Sequence, residues 1–145
     1  MHFQGFLILT AALLLGAQSD LDKLQGSWRT ISLVNDGKVL VGEKVPPQPG
    51  PATALVYERN RWLIKVGDKT VASGIFTVDA SKAPKEIDVM DESGLKNGKT
   101  KLGIYELDGD RYKYCLAPAG KPRPAEFASP EGSGYSLGVS ERERI

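Results

Sequence analysis

The chain has 145 residues, 41% of them apolar and 26% charged, with 19 basic side chains against 18 acidic ones, the profile of one ordinary globular domain. This balance excludes a disordered, collagenous or strongly basic nucleic-acid-binding chain. The only histidine is His2 and the only cysteine is Cys115. Removal of the first twenty residues would leave no imidazole, which excludes Ser-His-Asp and Cys-His nucleophile systems and histidine-ligated metals.

Residues 6–17 form an apolar run broken only by Thr10 and Gly16. A dozen residues suit the core of a signal peptide and are too few to span a bilayer. Small residues follow at once, with cleavage expected after Ala17 or Ser19, although Met1 to Gly5 carries no Lys or Arg. We expect residues 1–19 to be a signal peptide and residues 20–145 a single domain in an extracytoplasmic space, secreted or periplasmic. No cysteine follows the run to carry a lipoprotein anchor, and one cysteine cannot form an internal disulfide.

Beyond this point only Asp20 to Leu24 reads as a helical turn. Eight strands are predicted: Ser27 to Val34, Thr53 to Glu58, Arg61 to Val66, Val71 to Val78, Glu86 to Met90, Leu102 to Leu107, Tyr112 to Leu116 and Tyr135 to Ser140. Turn residues separate them, among them Asn35-Asp36-Gly37, Arg59-Asn60, Gly67-Asp68, Gly94 to Gly98 and Asp108-Gly109-Asp110. Short connections with no crossover helix pair sequence neighbours antiparallel, and eight such strands close most simply into an all-β, up-and-down barrel. The exception to short connections is the proline-rich segment Val45 to Pro51, a stiff excursion that fits a lid or a solvated linker.

Two turns fix register. A tip at Gly109-Asp110 sets Leu107 opposite Tyr112, Tyr105 opposite Tyr114 and Gly103 opposite Leu116, with Glu106 and Lys113 on the other face. A tip at Arg59-Asn60 sets Tyr57 opposite Trp62 and Leu55 opposite Ile64. The apolar faces must point inward; on the strand Val71 to Val78 either Phe76 with Val78 or Ile75 with Val71 faces in, depending on the preceding loop, and Phe76 with Val78 is expected as the bulkier set.

Gly26-Ser27-Trp28 at the start of the first strand, after one helical turn, together with eight strands and a C-terminal arginine, resembles the lipocalin pattern. Further stretches carry the likeness: Pro84 to Asp88, Leu102 to Asp110, Cys115 to Pro118, Gly120 to Phe127 and Gly132 to Gly134. Taken together they are similar to an uncharacterised secreted lipocalin-like domain found repeatedly in planctomycete-type bacteria, across nearly all of the mature chain. The resemblance implies a barrel whose closed end holds Gly26 and Trp28, with Arg142 or Arg144 packed over the indole. That family has no established catalytic activity, and it usually carries a more polar segment where this chain has Val45 to Pro51.

An eight-stranded barrel either fills its interior or holds one small ligand. Trp28, Tyr57, Trp62, Phe76, Tyr105, Tyr112, Tyr114 and Tyr135 are the expected inward and ligand-binding residues, because several phenols converging on one interior need polar partners. The expected ligand is a small hydrophobic molecule, with no cofactor, no metal, no nucleic acid and no catalysis. Asp91/Glu92, Glu86/Asp88 and Asp108/Asp110 fall on outward or turn positions, and Cys115 reads as a buried, inert thiol under a neighbouring loop. The alternative is a filled barrel acting through its loops, with a protein partner at Lys121, Arg123 and Glu126, Arg123 otherwise pairing with Glu126 or bracing the last strand. An interior below roughly 300 Å³ would favour that alternative.

Overall fold

The computed structural model describes residues 19–47, 50–92 and 99–144. The apolar run of residues 6–17 and the turn Gly94 to Gly98 lie outside the described residues, as do Gln48 and Pro49. The first element is a single helical piece, α1 (Asp20–Leu24). Ser19 caps it by accepting a 3.2 Å hydrogen bond from the Asp22 amide, and Asp20 and Asp22 place negative charge in its first turn, both favourable at a helix start.

Nine strands follow among the described residues: β1 (Gly26–Asn35), β2 (Lys38–Val41), β3 (Thr53–Glu58), β4 (Arg61–Val66), β5 (Lys69–Asp79), β6 (Lys85–Asp91), β7 (Thr100–Asp108), β8 (Arg111–Leu116) and β9 (Ser136–Arg142). All pair antiparallel, in the order β2-β1-β3-β4-β5-β6-β7-β8-β9, and β1 also pairs with β9. The chain therefore forms a closed eight-stranded antiparallel barrel of β1 and β3 to β9, with β2 as a hairpin arm on the far half of β1.

All eight expected strands are present in the barrel, and the arm is a ninth that was not expected. Asp36 and Gly37 both have positive φ, 53° and 78°, the backbone of a tight two-residue hairpin turn. Asn35 consequently pairs with Lys38. The β3–β4 and β7–β8 hairpins have the expected registers, including Tyr57 opposite Trp62 and Tyr105 opposite Tyr114.

The barrel core contains Trp28, Leu55, Tyr57, Phe76, Ile87, Tyr105 and Tyr112, joined by Leu24 from α1. A second buried group lies outside the sheet. Ile104 and Cys115 face each other with the parity opposite to the tyrosines, yet both are buried. The long β8–β9 loop, residues 117–135, lies over this outer face, where the Cys115 thiol donates to the Ala128 carbonyl at 3.3 Å. Burial pushes the thiol's pKa up, which keeps it protonated.

Arg123 anchors the same loop. Its guanidinium donates to the Gly103 carbonyl at 2.8 Å and the Ile87 carbonyl at 3.3 Å, and sits 2.8 Å from Asp88 and 3.6 Å from Glu86. The expected pairing with Glu126 or bracing of the last strand is thus corrected: Arg123 braces β6 and β7. Lys121 and Glu126 remain exposed.

Candidate functional site

The closed end of the barrel is built from α1, β1 and β9. Three successive carbonyls at the end of α1 lack helical partners, the usual condition of a helix C-terminus. The Trp28 indole N–H donates to the Leu24 carbonyl at 2.8 Å, while Arg142 donates to the carbonyls of Gln25, at 2.7 Å, and of Lys23. The same guanidinium lies 4.3 Å over the Trp28 ring, a cation–π contact. Gly26 has φ +111°, and a Cβ there would stand 3.3 Å from Arg142, so both backbone and space favour glycine. Arg144 takes another role, pairing with Asp110.

Asp20 closes the remainder of this end. Its carboxylate accepts from the Tyr105 hydroxyl at 2.8 Å and from Lys85 at 2.9 Å. Burial alone would raise the Asp20 pKa; the hydrogen bonds from Lys85 and Tyr105 and the charges of Lys85 and Lys23 outweigh it and hold the carboxyl below its ordinary 3.8. A polar cleft of about 500 Å³ opens here beside α1, but on its walls Asp20 and Lys85 are paired with each other and Arg142 with Asp110 and the Gln25 carbonyl.

Above this base the interior is shaped by large residues set against glycines. Trp62 pairs with Gly74, Tyr114 with Gly138 and Leu116 with Gly103. A Cβ on Gly74 would come within 2.6 Å of the Trp62 indole nitrogen, and one on Gly138 would overlap the Tyr114 ring. The rings thus lie along the wall across the glycines instead of crossing the middle, and Trp62 fixes itself there by donating to the Met90 carbonyl at 3.0 Å.

This arrangement leaves a cavity of about 190 Å³, walled by aliphatic side chains and by Tyr57, Trp62, Tyr112 and Tyr114, with Asp91 and Lys101 among its lining residues. Lys101 is exposed and Asp91 half-buried, so the cavity meets solvent on their side. Asp91 is a further correction: its pairing with Gly74 places it on the inward face rather than outward. The Tyr57 and Tyr112 hydroxyls are 2.7 Å apart, and the Tyr114 hydroxyl has no hydrogen-bond partner among the described residues. Burial raises the pKa of Tyr57, Tyr112 and Tyr114 above the ordinary phenol value, so all three are proton donors across the physiological range.

Of the residues expected to line a ligand site, Tyr57, Trp62, Tyr112 and Tyr114 line the cavity. Trp28, Phe76 and Tyr105 are buried in the barrel core around it: Phe76 packs 4.6 Å from Tyr57, Trp28 5.4 Å from Tyr112 and Tyr105 6.5 Å from Tyr112. Tyr135 is corrected. It precedes β9, where Ser136, Gly138 and Ser140 hold the inward positions, and its hydroxyl donates to the Pro122 carbonyl in the β8–β9 loop at 3.0 Å. Lys101 escaped the sequence reading, and Asp91 was placed outward, because the signal for both is parity alone: each is two residues along from an inward residue, Gly103 and Val89 respectively.

The fold and this interior define a closed antiparallel barrel with a small aromatic cavity. Comparison with protein-family models, curated proteins and solved structures found no match.

Proposed function

We propose that the protein is a non-catalytic, lipocalin-like binding protein that holds one small, largely apolar molecule inside its barrel. The observation that carries this reading is the cavity of about 190 Å³ with an indole and three phenols on its walls. Its volume sets the scale of the cargo. An apolar cavity of about 150 Å³ accommodates benzene, whereas drug-sized ligands occupy about 300–1,000 Å³. The cargo is therefore a single-ring molecule and not a fatty acid or retinoid-sized lipid. The arrangement of Gly26, Trp28 and Arg142 supports the lipocalin-like assignment, and the apolar run of residues 6–17 supports export to an extracytoplasmic space.

The same volume, being below the usual range, favours a second reading in which the barrel is filled and the loops recognise a protein partner. Arg123 speaks against its original form, because that side chain is committed to Glu86, Asp88 and two backbone carbonyls. Lys121, Glu126 and Glu131 are left as the exposed charges of that loop.

Methyl-resolved NMR with toluene as the probe separates the two readings. Shifts confined to Leu55, Ile64, Ile87, Val89 and Leu116, saturating with toluene, are expected. An unperturbed spectrum at the solubility limit of toluene would refute the cavity reading. Native mass spectrometry of protein purified from its own host should additionally reveal a carried mass of single-ring size.

A further inference from the structure

We infer that the cavity takes a neutral single-ring ligand bearing one acceptor oxygen, which receives the spare hydrogen of the Tyr57–Tyr112 hydroxyl pair. This inference rests on the cavity reading above and adds the ligand's polar group and its place in the site.

Tyr57 stands on β3 and Tyr112 on β8, and two strands, β1 and β9, lie between them on the shorter way round the barrel. Their hydroxyls nevertheless meet at 2.7 Å, so this hydrogen bond bridges the interior instead of running along the wall. Both rings line the cavity. Trp28, Phe76 and Tyr105 pack against the same two rings and take no part in the cavity's walls. The pair therefore divides the filled closed end from the open space and forms the floor of that space.

A hydrogen count fixes what this floor lacks. Two hydroxyls carry two hydrogens, and the bond between them uses one. Neither hydroxyl has another hydrogen-bond partner among the described residues, and Tyr57 and Tyr112 are only 5% and 1% exposed. One hydrogen is thus left over whichever hydroxyl donates. A buried donor without an acceptor costs about 1–3 kcal/mol, a cost that a ligand oxygen removes and a hydrocarbon does not.

The lining favours neither sign of charge. Its two ionisable side chains apart from the phenols, Lys101 and Asp91, are opposite in charge and stand where the cavity meets solvent. A charged group carried down to a floor of phenols among Leu55, Ile64 and Ile87 gives up its hydration for one hydrogen bond, whereas a neutral carbonyl needs little more than that bond.

Acetophenone and α-methylstyrene test this, because they share a shape and differ in a carbonyl oxygen against a methylene group. Both are titrated by methyl NMR into the wild type, the double variant Tyr57→Phe/Tyr112→Phe, and Tyr135→Phe, which removes a phenol outside the cavity. Replacing both partners of the pair by rings of the same shape is close to neutral for folding. The ratio of the two dissociation constants is compared between proteins, so the ligands' different affinities for water cancel. In the double variant the ratio should move against acetophenone by about tenfold, equivalent to about 1.4 kcal/mol, and in Tyr135→Phe it should equal that of the wild type. Infrared spectra of carbonyl-labelled acetophenone should show the stretch lowered in the wild type relative to hexane and restored in the double variant. A wild-type stretch at its hexane value overturns the inference without recourse to any variant. So does a ratio unmoved in the double variant, which would give the oxygen to another group such as Tyr114. In either case binding of α-methylstyrene leaves the cavity reading standing. If neither ligand binds the wild type, both are overturned.

Discussion

The guanidinium of Arg142 lies 4.3 Å over the indole of Trp28, and between them the two side chains take up three carbonyls at the end of α1. One contact therefore ties together the helix, the first strand and the last. Trp28→Ala removes the indole that floors the barrel, its hydrogen bond to Leu24 and the surface on which Arg142 rests. The expected loss is about 3–5 kcal/mol, measured by denaturant unfolding. A loss of ligand binding with unchanged stability would contradict this structural role.

Asp20 makes the fold sensitive to acid. Its pKa lies below 3.8 in the folded barrel and returns to the ordinary value on unfolding, so the unfolded state binds the proton more readily. The stabilisation is complete above the unfolded value and is lost as pH falls through the folded one. Stability measured from pH 6 down to pH 2 should decline below about pH 4 in the wild type, and the decline should flatten in Asp20→Asn. Identical slopes would remove Asp20 from the account. Tyr105, Lys85 and Lys23 are the groups facing it.

At alkaline pH the sign reverses. Tyr57, Tyr105, Tyr112 and Tyr114 all have pKa values raised by burial above 10, so the folded state holds these protons longer than the unfolded chain. Their contribution is present below pH 10 and disappears as pH climbs through the raised values. The phenolate absorbance of these four residues should appear together with loss of the near-ultraviolet circular dichroism, as one transition. Gradual ionisation of all four in a protein that keeps its fold would show that the interior is wet.

Gly138 tests whether the cavity depends on rings lying across glycines. A Cβ at this position overlaps the Tyr114 ring, which can relieve the overlap by swinging into the cavity. Gly138→Ala should cost about 1–3 kcal/mol, the usual range for overpacking, and should abolish toluene binding. Retained binding at wild-type affinity would mean that the ring retreats in another direction.

The hairpins were the legible part of the fold, because Arg59-Asn60 and Gly109-Asp110 fix which residues face each other and apolar alternation then fixes which face is inside. Strand β2 was missed although Asp36-Gly37 is a hairpin signal. Its four residues show no alternation of burial, Val39 and Leu40 being 51% and 40% exposed, so nothing distinguishes them from the loop that follows. The partners of Arg123 were illegible for another reason. Glu86 and Asp88 are more than thirty residues away in sequence, and only the closure of the sheet brings them to the β8–β9 loop. The cavity itself depends on glycines set opposite aromatic residues on neighbouring strands, a relation invisible until the β4–β5 and β8–β9 registers are known.

The seam between β1 and β9 joins Trp28 to Arg142 and Asn35 to Ser136, contacts separated by about a hundred residues of chain. Pairings of such long range form slowly, since the intervening loop must be ordered first. During synthesis from the N-terminus, β1 must wait with one edge unpaired until β9 has left the ribosome. The barrel therefore cannot close before residue 142 has been synthesised, and until then one edge of β1 stays open to wrong pairings.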